Sequence, residues 1–203
     1  MKLALVAAIA LIAVPKATLP QMTVPDATLK RVAPSLSQKT AFFTTHDDAA
    51  ASTFDPNDTG ADLKRLGRVA GYIRGRIGSE TTGLSGVATS VILWRDARVA
   101  ATSITRDAAD GRRFRGKNVA PGVLVSFDAK KIPALGRGAE LWHFHVRGAS
   151  GVERFTTSVV FTIRALRGNA LVIRGDNKEA DALALQLARD LESRIVARLR
   201  ASS

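Results

Sequence analysis

Residues 154–200 constrain the fold of this chain more than any other stretch. Phe155, Thr157, Val159, Phe161 and Ile163 fall on one side of an alternating run, with Val160 on the other, which is the period of a strand extending over 155–166. Gly168-Asn169 suits a tight hairpin turn, because glycine at the first central position accepts positive φ. Residues 170–174 then return as an antiparallel strand. Asp176, with Glu179 three positions on, reads as a capping box opening a helix over 178–199. Leu183, Leu187, Leu191, Ile195 and Leu199 recur at every fourth position, joined by Ala180, Ala184 and Ala188. Such a stripe has to be buried against a sheet. It holds no polar group, so this end reads as scaffold, and function belongs on the opposite face and in the Gly- and Arg-rich segments.

Upstream, residues 59–62 begin a short helix with Leu63 and Leu66 as apolar positions and Gly67 as its stop. Residues 69–77 alternate, with Val69, Gly71, Ile73, Gly75 and Ile77 on one face and Ala70, Tyr72, Arg74 and Arg76 on the other. The glycines leave room for something bulky over that face. Residues 78–86 form a loop, and 87–94, nearly all apolar, form a strand covered on both sides. A helix is predicted over 97–106, then a basic loop DGRRFRGKN over 110–118, then strands over 123–127 and 139–146. Runs of strands closed by a terminal helix give an α+β fold with a mostly antiparallel sheet of about five to six strands.

The first seventeen residues read as a signal peptide: Lys2 precedes an apolar run over 3–14, too short for a comfortable membrane span. Cleavage is expected after Ala17, with Ala13 as the other position and an uncleaved N-terminal anchor as the alternative. Residues 18–40, with Pro20, Pro25 and Pro34, read as a linker or tether. Phe42, Phe43 and Phe54 are too apolar for a free linker, so a single domain is placed at 41–203. The expected location is secreted or extracytoplasmic, with no transmembrane span once the leader is removed.

Certain residues carry a familial likeness: 66–72 (LGRVAGY), 91–97 (VILWRDA), 132–136 (IPALG), 160–169 (VFTIRALRGN) and 188–195 (ARDLESRI). Over about 61–201 the chain resembles uncharacterised secreted bacterial proteins with a PsbP-like α/β sandwich. The resemblance implies that fold, an exported location and an accessory or binding role without a shared catalytic set. A cystatin-like or nuclear-transport-factor-like helix on a curved sheet is the competing fold.

The chain has no cysteine, which excludes disulfides, thiolate metal sites, a Cys nucleophile and a lipidated Cys. Its net charge of +12 favours an anionic envelope polymer, an anionic lipid or another envelope protein as partner, and nucleic acid is disfavoured for an exported chain. Arg112, Arg113, Arg115 and Lys117, with Phe114 among them, and the strand pair Arg74 and Arg76 are the candidate anion-binding residues. His143 and His145 form an H-x-H pair that could share a metal with His46, Asp47 or Asp48, although no further ligand spacing supports it. Residues 78–86 lack the phosphate-loop pattern. Ser85 is not in a nucleophile elbow. Glu80 and Glu140 have no paired carboxylate. No cofactor is implied. The sequence therefore reads as an exported, non-catalytic binding or accessory module of the cell envelope. The alternatives are a metal-dependent hydrolase using His143 and His145, or a small-molecule pocket protein.

Overall fold

The computed structural model describes residues 14–43, 54–78, 83–119, 122–133, 135–178 and 180–202. A turn of 3-10 helix, Lys16–Thr18, leads into α1 (Leu19–Met22) and α2 (Asp26–Val32). Strand β1 (Ser37–Phe43) follows, then α3 (Gly60–Arg65), β2 (Arg68–Ile77), β3 (Leu84–Trp94) and α4 (Ala97–Arg113). The chain continues through β4 (Asn118–Val119), β5 (Gly122–Lys131), β6 (Arg137–Gly148), β7 (Glu153–Ile163) and β8 (Leu166–Arg174), and ends in α5 (Asp181–Ala201). The strands form one eight-stranded sheet in the order β1-β2-β3-β8-β7-β6-β5-β4. Every neighbouring pair is antiparallel. The architecture is an α+β sandwich with a long C-terminal helix on an antiparallel sheet, as the pattern predicts, with more strands than the alternating runs reveal.

The chain is two meanders joined by α4. β1–β3 build one side, α4 carries the chain to the far edge, and β4–β8 return until β8 pairs with β3. Alternation then divides the sheet into two faces. Tyr72, Val91, Val159, Phe161 and Val172 point to the face covered by α5, whose Ala184, Leu187, Ala188, Leu191 and Ile195 are buried there. Leu124, Phe127, Trp142 and Val160 point to the opposite face, under Ile104 and Ala108 of α4.

The segment predicted as a tether is part of the core. Leu19, Met22, Val24, Leu29 and Leu36 are almost fully buried in the α5-side cluster. Val24 N–H donates to Thr89 Oγ1 of β3 at 3.1 Å. The prolines mislead because they serve short helices: Pro20 sits in the first turn of α1 and Pro25 is the residue before α2, places where a missing N–H costs nothing. The side chains of Phe42 and Phe43, together with His46, Asp47, Asp48, Glu80 and Glu179, lie outside the described residues.

Three local readings are corrected. The β7–β8 turn is Arg164-Ala165, with Arg164 at φ 54°, and Gly168-Asn169 lies inside β8. Gly168 is needed for a close approach: a Cβ there would lie 2.5 Å from Phe161 Cζ. α4 runs on to Arg113, so half of the supposed basic loop is helix. Gly111 does not stop it, since that glycine seats the helix on the Phe127 ring, 2.6 Å from where a Cβ would be. Finally, Asp176 does not cap α5, which begins at Asp181. It accepts instead from Arg174 Nε at 2.6 Å and Nη2 at 3.0 Å, which holds its carboxyl below the usual range.

Candidate functional site

The predicted basic residues separate into two groups. Arg76 is a brace: its Nη1 reaches Asp26 of α2 at 2.9 Å, and its Nε donates to Leu36 O at 2.8 Å. Its side chain is only 10% exposed, and it fastens the N-terminal helices to β2. Arg74 lies 5.6 Å over the ring of Tyr72 beside it. In the second group, Arg113 stands between Asp55 (3.7 Å) and Asp110 (3.9 Å), with its guanidinium 4.7 Å over Phe114. Lys117 lies over the same ring at 5.5 Å. Arg112 and Arg115 are exposed at the end of α4 and have no carboxylate partner among the described residues.

His143 and His145 share the α5 face of β6 but do not converge. His143 Nε2 is 2.6 Å from Asp181 Oδ1, at the first residue of α5. The His145 ring stacks on Phe155 at 4.2 Å, with Nε2 3.5 Å from Glu153 Oε1. Among the described residues no group of three or more His, Cys, Asp or Glu is placed to hold a metal ion.

The richest arrangement lies on the α4 face and was not predicted. Inward-facing side chains of β2, β3, β6, β7 and β8 enclose a 260 Å³ cavity beneath α4 and Phe54. Two buried arginines line it, Arg68 (4% exposed) and Arg167 (5%). Arg68 lies flat on the sheet over Gly71, where a Cβ would fall 2.7 Å from its Nη2. At Gly71 the bulky group expected above the β2 glycines is this guanidinium, whereas a Cβ at Gly75 would meet Ala88 and the Val87 carbonyl. Arg167 Nη1 binds Asp107 Oδ2 of α4 at 2.5 Å and Ser103 Oγ at 3.3 Å, and its guanidinium sits 5.5 Å from the Trp142 ring. Arg106 also holds Asp107, at 3.0 Å. Burial raises the Asp110 carboxyl, with Arg106 opposing and Asp107, Asp55 and Asp58 adding repulsion. Ser158 donates to Asn169 Oδ1 at 2.8 Å on the cavity floor.

Two buried donors in this wall have no acceptor among the described residues: Trp94 Nε1 and Arg167 Nε. An unmet buried donor costs about 1–3 kcal/mol. Phe144 and Leu171 also line a second hollow of 600 Å³, whose other walls include Ile77, Val146, Thr156 and Ile173. A third concavity, of 420 Å³, lies across Trp94 between α3 and α4 and is lined by Arg65, Arg95, Arg98 and Arg106. Its charge is largely offset: Arg65 pairs with Asp62 at 2.7 Å, Arg95 with Asp96 at 3.4 Å and Arg106 with Asp58 at 3.4 Å.

Sequence reasoning missed Arg167 because it put a turn at the next residue. With the turn at 164–165, Arg167, Asn169, Leu171 and Ile173 alternate onto one face, and a polar-to-apolar stripe becomes visible. Arg68 carried no such signal, being next to the helix-ending Gly67.

No family model matches the chain, and no curated protein sequence does. Among solved structures it is similar to the extracellular domain of PknH from Mycobacterium tuberculosis, with a TM-score of 0.63 and 13% identity, covering 91% of this chain and 97% of that one. At that identity the likeness is one of fold, a general α+β sandwich.

Proposed function

We propose that this protein is a non-catalytic binding module acting outside the cytoplasmic membrane, and that it takes an anionic ligand in the cavity between α4 and the sheet. The observation that carries the reading is the pair of acceptor-less donors, Trp94 Nε1 and Arg167 Nε, in a cavity also lined by the Arg68 guanidinium. Acceptor-only oxyanions suit such a donor set, and arginine matches their planar geometry. The signal-like run at 3–14 supports export, as does the fold shared with a domain named as extracellular. Among the described residues no helix is long and apolar enough to cross a membrane. Exposed Arg112 and Arg115 at the end of α4, with Lys117 beside them, would attract anionic polymers or lipid surfaces and raise the local ligand concentration.

The two tryptophans of the chain, Trp94 and Trp142, both line the cavity, so their emission reports occupancy directly. Titration with inorganic phosphate and with acetate should give a saturable emission change that weakens with added sodium chloride. No saturable change with either anion would overturn the reading. Charge reversal at Arg112 and Arg115 should leave the saturation limit intact while lowering retention on anionic liposomes.

A further inference from the structure

The cavity does not end at its arginines. Along β8 the residues facing α4 change character in order: Arg167 and Asn169 line the polar cavity, Leu171 lines both hollows, and Ile173 lines the apolar one. From 167 to 173 the strand covers roughly 20 Å at about 3.3 Å per residue. On β6 the same direction runs Trp142, Phe144, Val146, again from the cavity to the apolar trough. β8 and β6, on either side of β7, therefore present one stripe that runs from the polar cavity to the more apolar trough. The trough volume of 600 Å³ lies within the range of small-molecule sites, about 300–1,000 Å³. One of its wall residues, Ser85, is 1% exposed, and its Oγ has no hydrogen-bond partner among the described residues. A trough that were simply core would not leave Ile77 40% exposed at its rim.

We propose that the natural ligand is a single-chain anionic amphiphile, a long-chain fatty acid. Its carboxylate accepts from Arg167 Nε and Trp94 Nε1, and its acyl chain lies in the trough along Leu171 and Ile173. This deepens the anion-binding reading and rests on it. A carboxylate is acceptor-only, which suits a wall whose Arg167 and Trp94 each carry an unmet donor. The length of the stripe is that of one extended long acyl chain. The opposite orientation would place the carboxylate at Arg154 on the trough wall, where Nη1 already donates to Glu153 O at 3.0 Å and the donor without a partner among the described residues is a neutral hydroxyl, Ser85 Oγ.

The test is a chain-length series from acetate through octanoate to hexadecanoate, kept below micelle formation, read by the emission of Trp94 and Trp142. Each added methylene should tighten binding, by up to about fourfold where it is fully buried, until the trough is filled. Hexadecanol should bind much more weakly than hexadecanoate. Ile77→Glu, at an exposed rim position, and Ile173→Glu should abolish the gain from chain length while leaving the acetate response in place. Arg154→Met should bind hexadecanoate like the parent protein. A flat series with an intact acetate response would overturn this inference and leave the anion site standing; loss of both responses would remove both. Hexadecanol binding as tightly as hexadecanoate, or loss of binding in Arg154→Met alone, would overturn the placement of the head group. Uptake of phosphatidylglycerol from vesicles without any response to hexadecanoate would overturn the single-chain assignment in favour of a two-chain lipid.

Discussion

Replacing Leu29 by alanine tests the most consequential difference between sequence and structure. Leu29 lies in α2, in the segment whose composition reads as a tether. A tether leucine is solvated, and its truncation would change stability by no more than about 0.5 kcal/mol. In the structure Leu29 is 0% exposed and belongs to the same cluster as Met22, Val24 and Leu36 on the α5 side of the sheet. Removing a fully buried leucine side chain costs about 2–5 kcal/mol, the lost transfer energy plus the cavity left behind. For a domain of this size that is a fall in melting temperature of roughly 4–20 °C. Relaxation should be limited, because α2 is held by the Arg76–Asp26 pair and the segment by the Val24–Thr89 bond. Urea unfolding followed by circular dichroism should therefore show a lower midpoint with an unchanged slope, which marks a change in stability rather than in the surface exposed. Lys30→Ala, one residue on and exposed, serves as the control and should be nearly neutral. A Leu29→Ala protein within about 0.5 kcal/mol of the parent would refute the packing of α2 against the sheet.

Gly168→Ala should destabilise by about 1–3 kcal/mol through overpacking, because the new Cβ falls 2.5 Å from Phe161 Cζ. The cost should shrink in a Phe161→Leu background; equal costs in both would mean that the residue is sensitive for its backbone and not for the ring. Asp96 caps α4 by accepting from Val99 N–H at 2.8 Å, and that bond holds its carboxyl below the usual range. A carboxyl depressed in the folded state stabilises above its unfolded value and loses that contribution as pH falls through the folded one. Asp96→Ala should thus lower the melting temperature at neutral pH but less so in strong acid, and Asp96→Asn should keep most of the neutral-pH stability. Asp110, raised by burial, works in the opposite sense: between the usual carboxylate value and its raised one, acidification favours the fold, so Asp110→Asn should remove that gain.

Much of this protein is legible locally. The stripe Leu187, Leu191, Ile195 and Leu199 is helical and buried, because periodicity at a single helix face is a property of neighbouring residues. The alternation of Leu141, Trp142, His143 and Phe144 likewise divides β6 between two faces. Other features depend on what lies across the sheet. Gly168 looks like a turn residue until the Phe161 ring is placed on it, and Gly111 looks like a helix stop until Phe127 is placed beneath it. Pro20 and Pro25 look like a linker until Leu19, Met22 and Leu29 find a core to enter. The candidate site depends most of all on long-range pairing. Arg68, Trp94 and Arg167 meet because β8 returns beside β3 after the α4 crossover, and nothing in the local pattern of any of the three specifies that neighbour. Short-range periodicity determined the scaffold; the convergence of distant buried donors was decided only when the two meanders closed into one sheet.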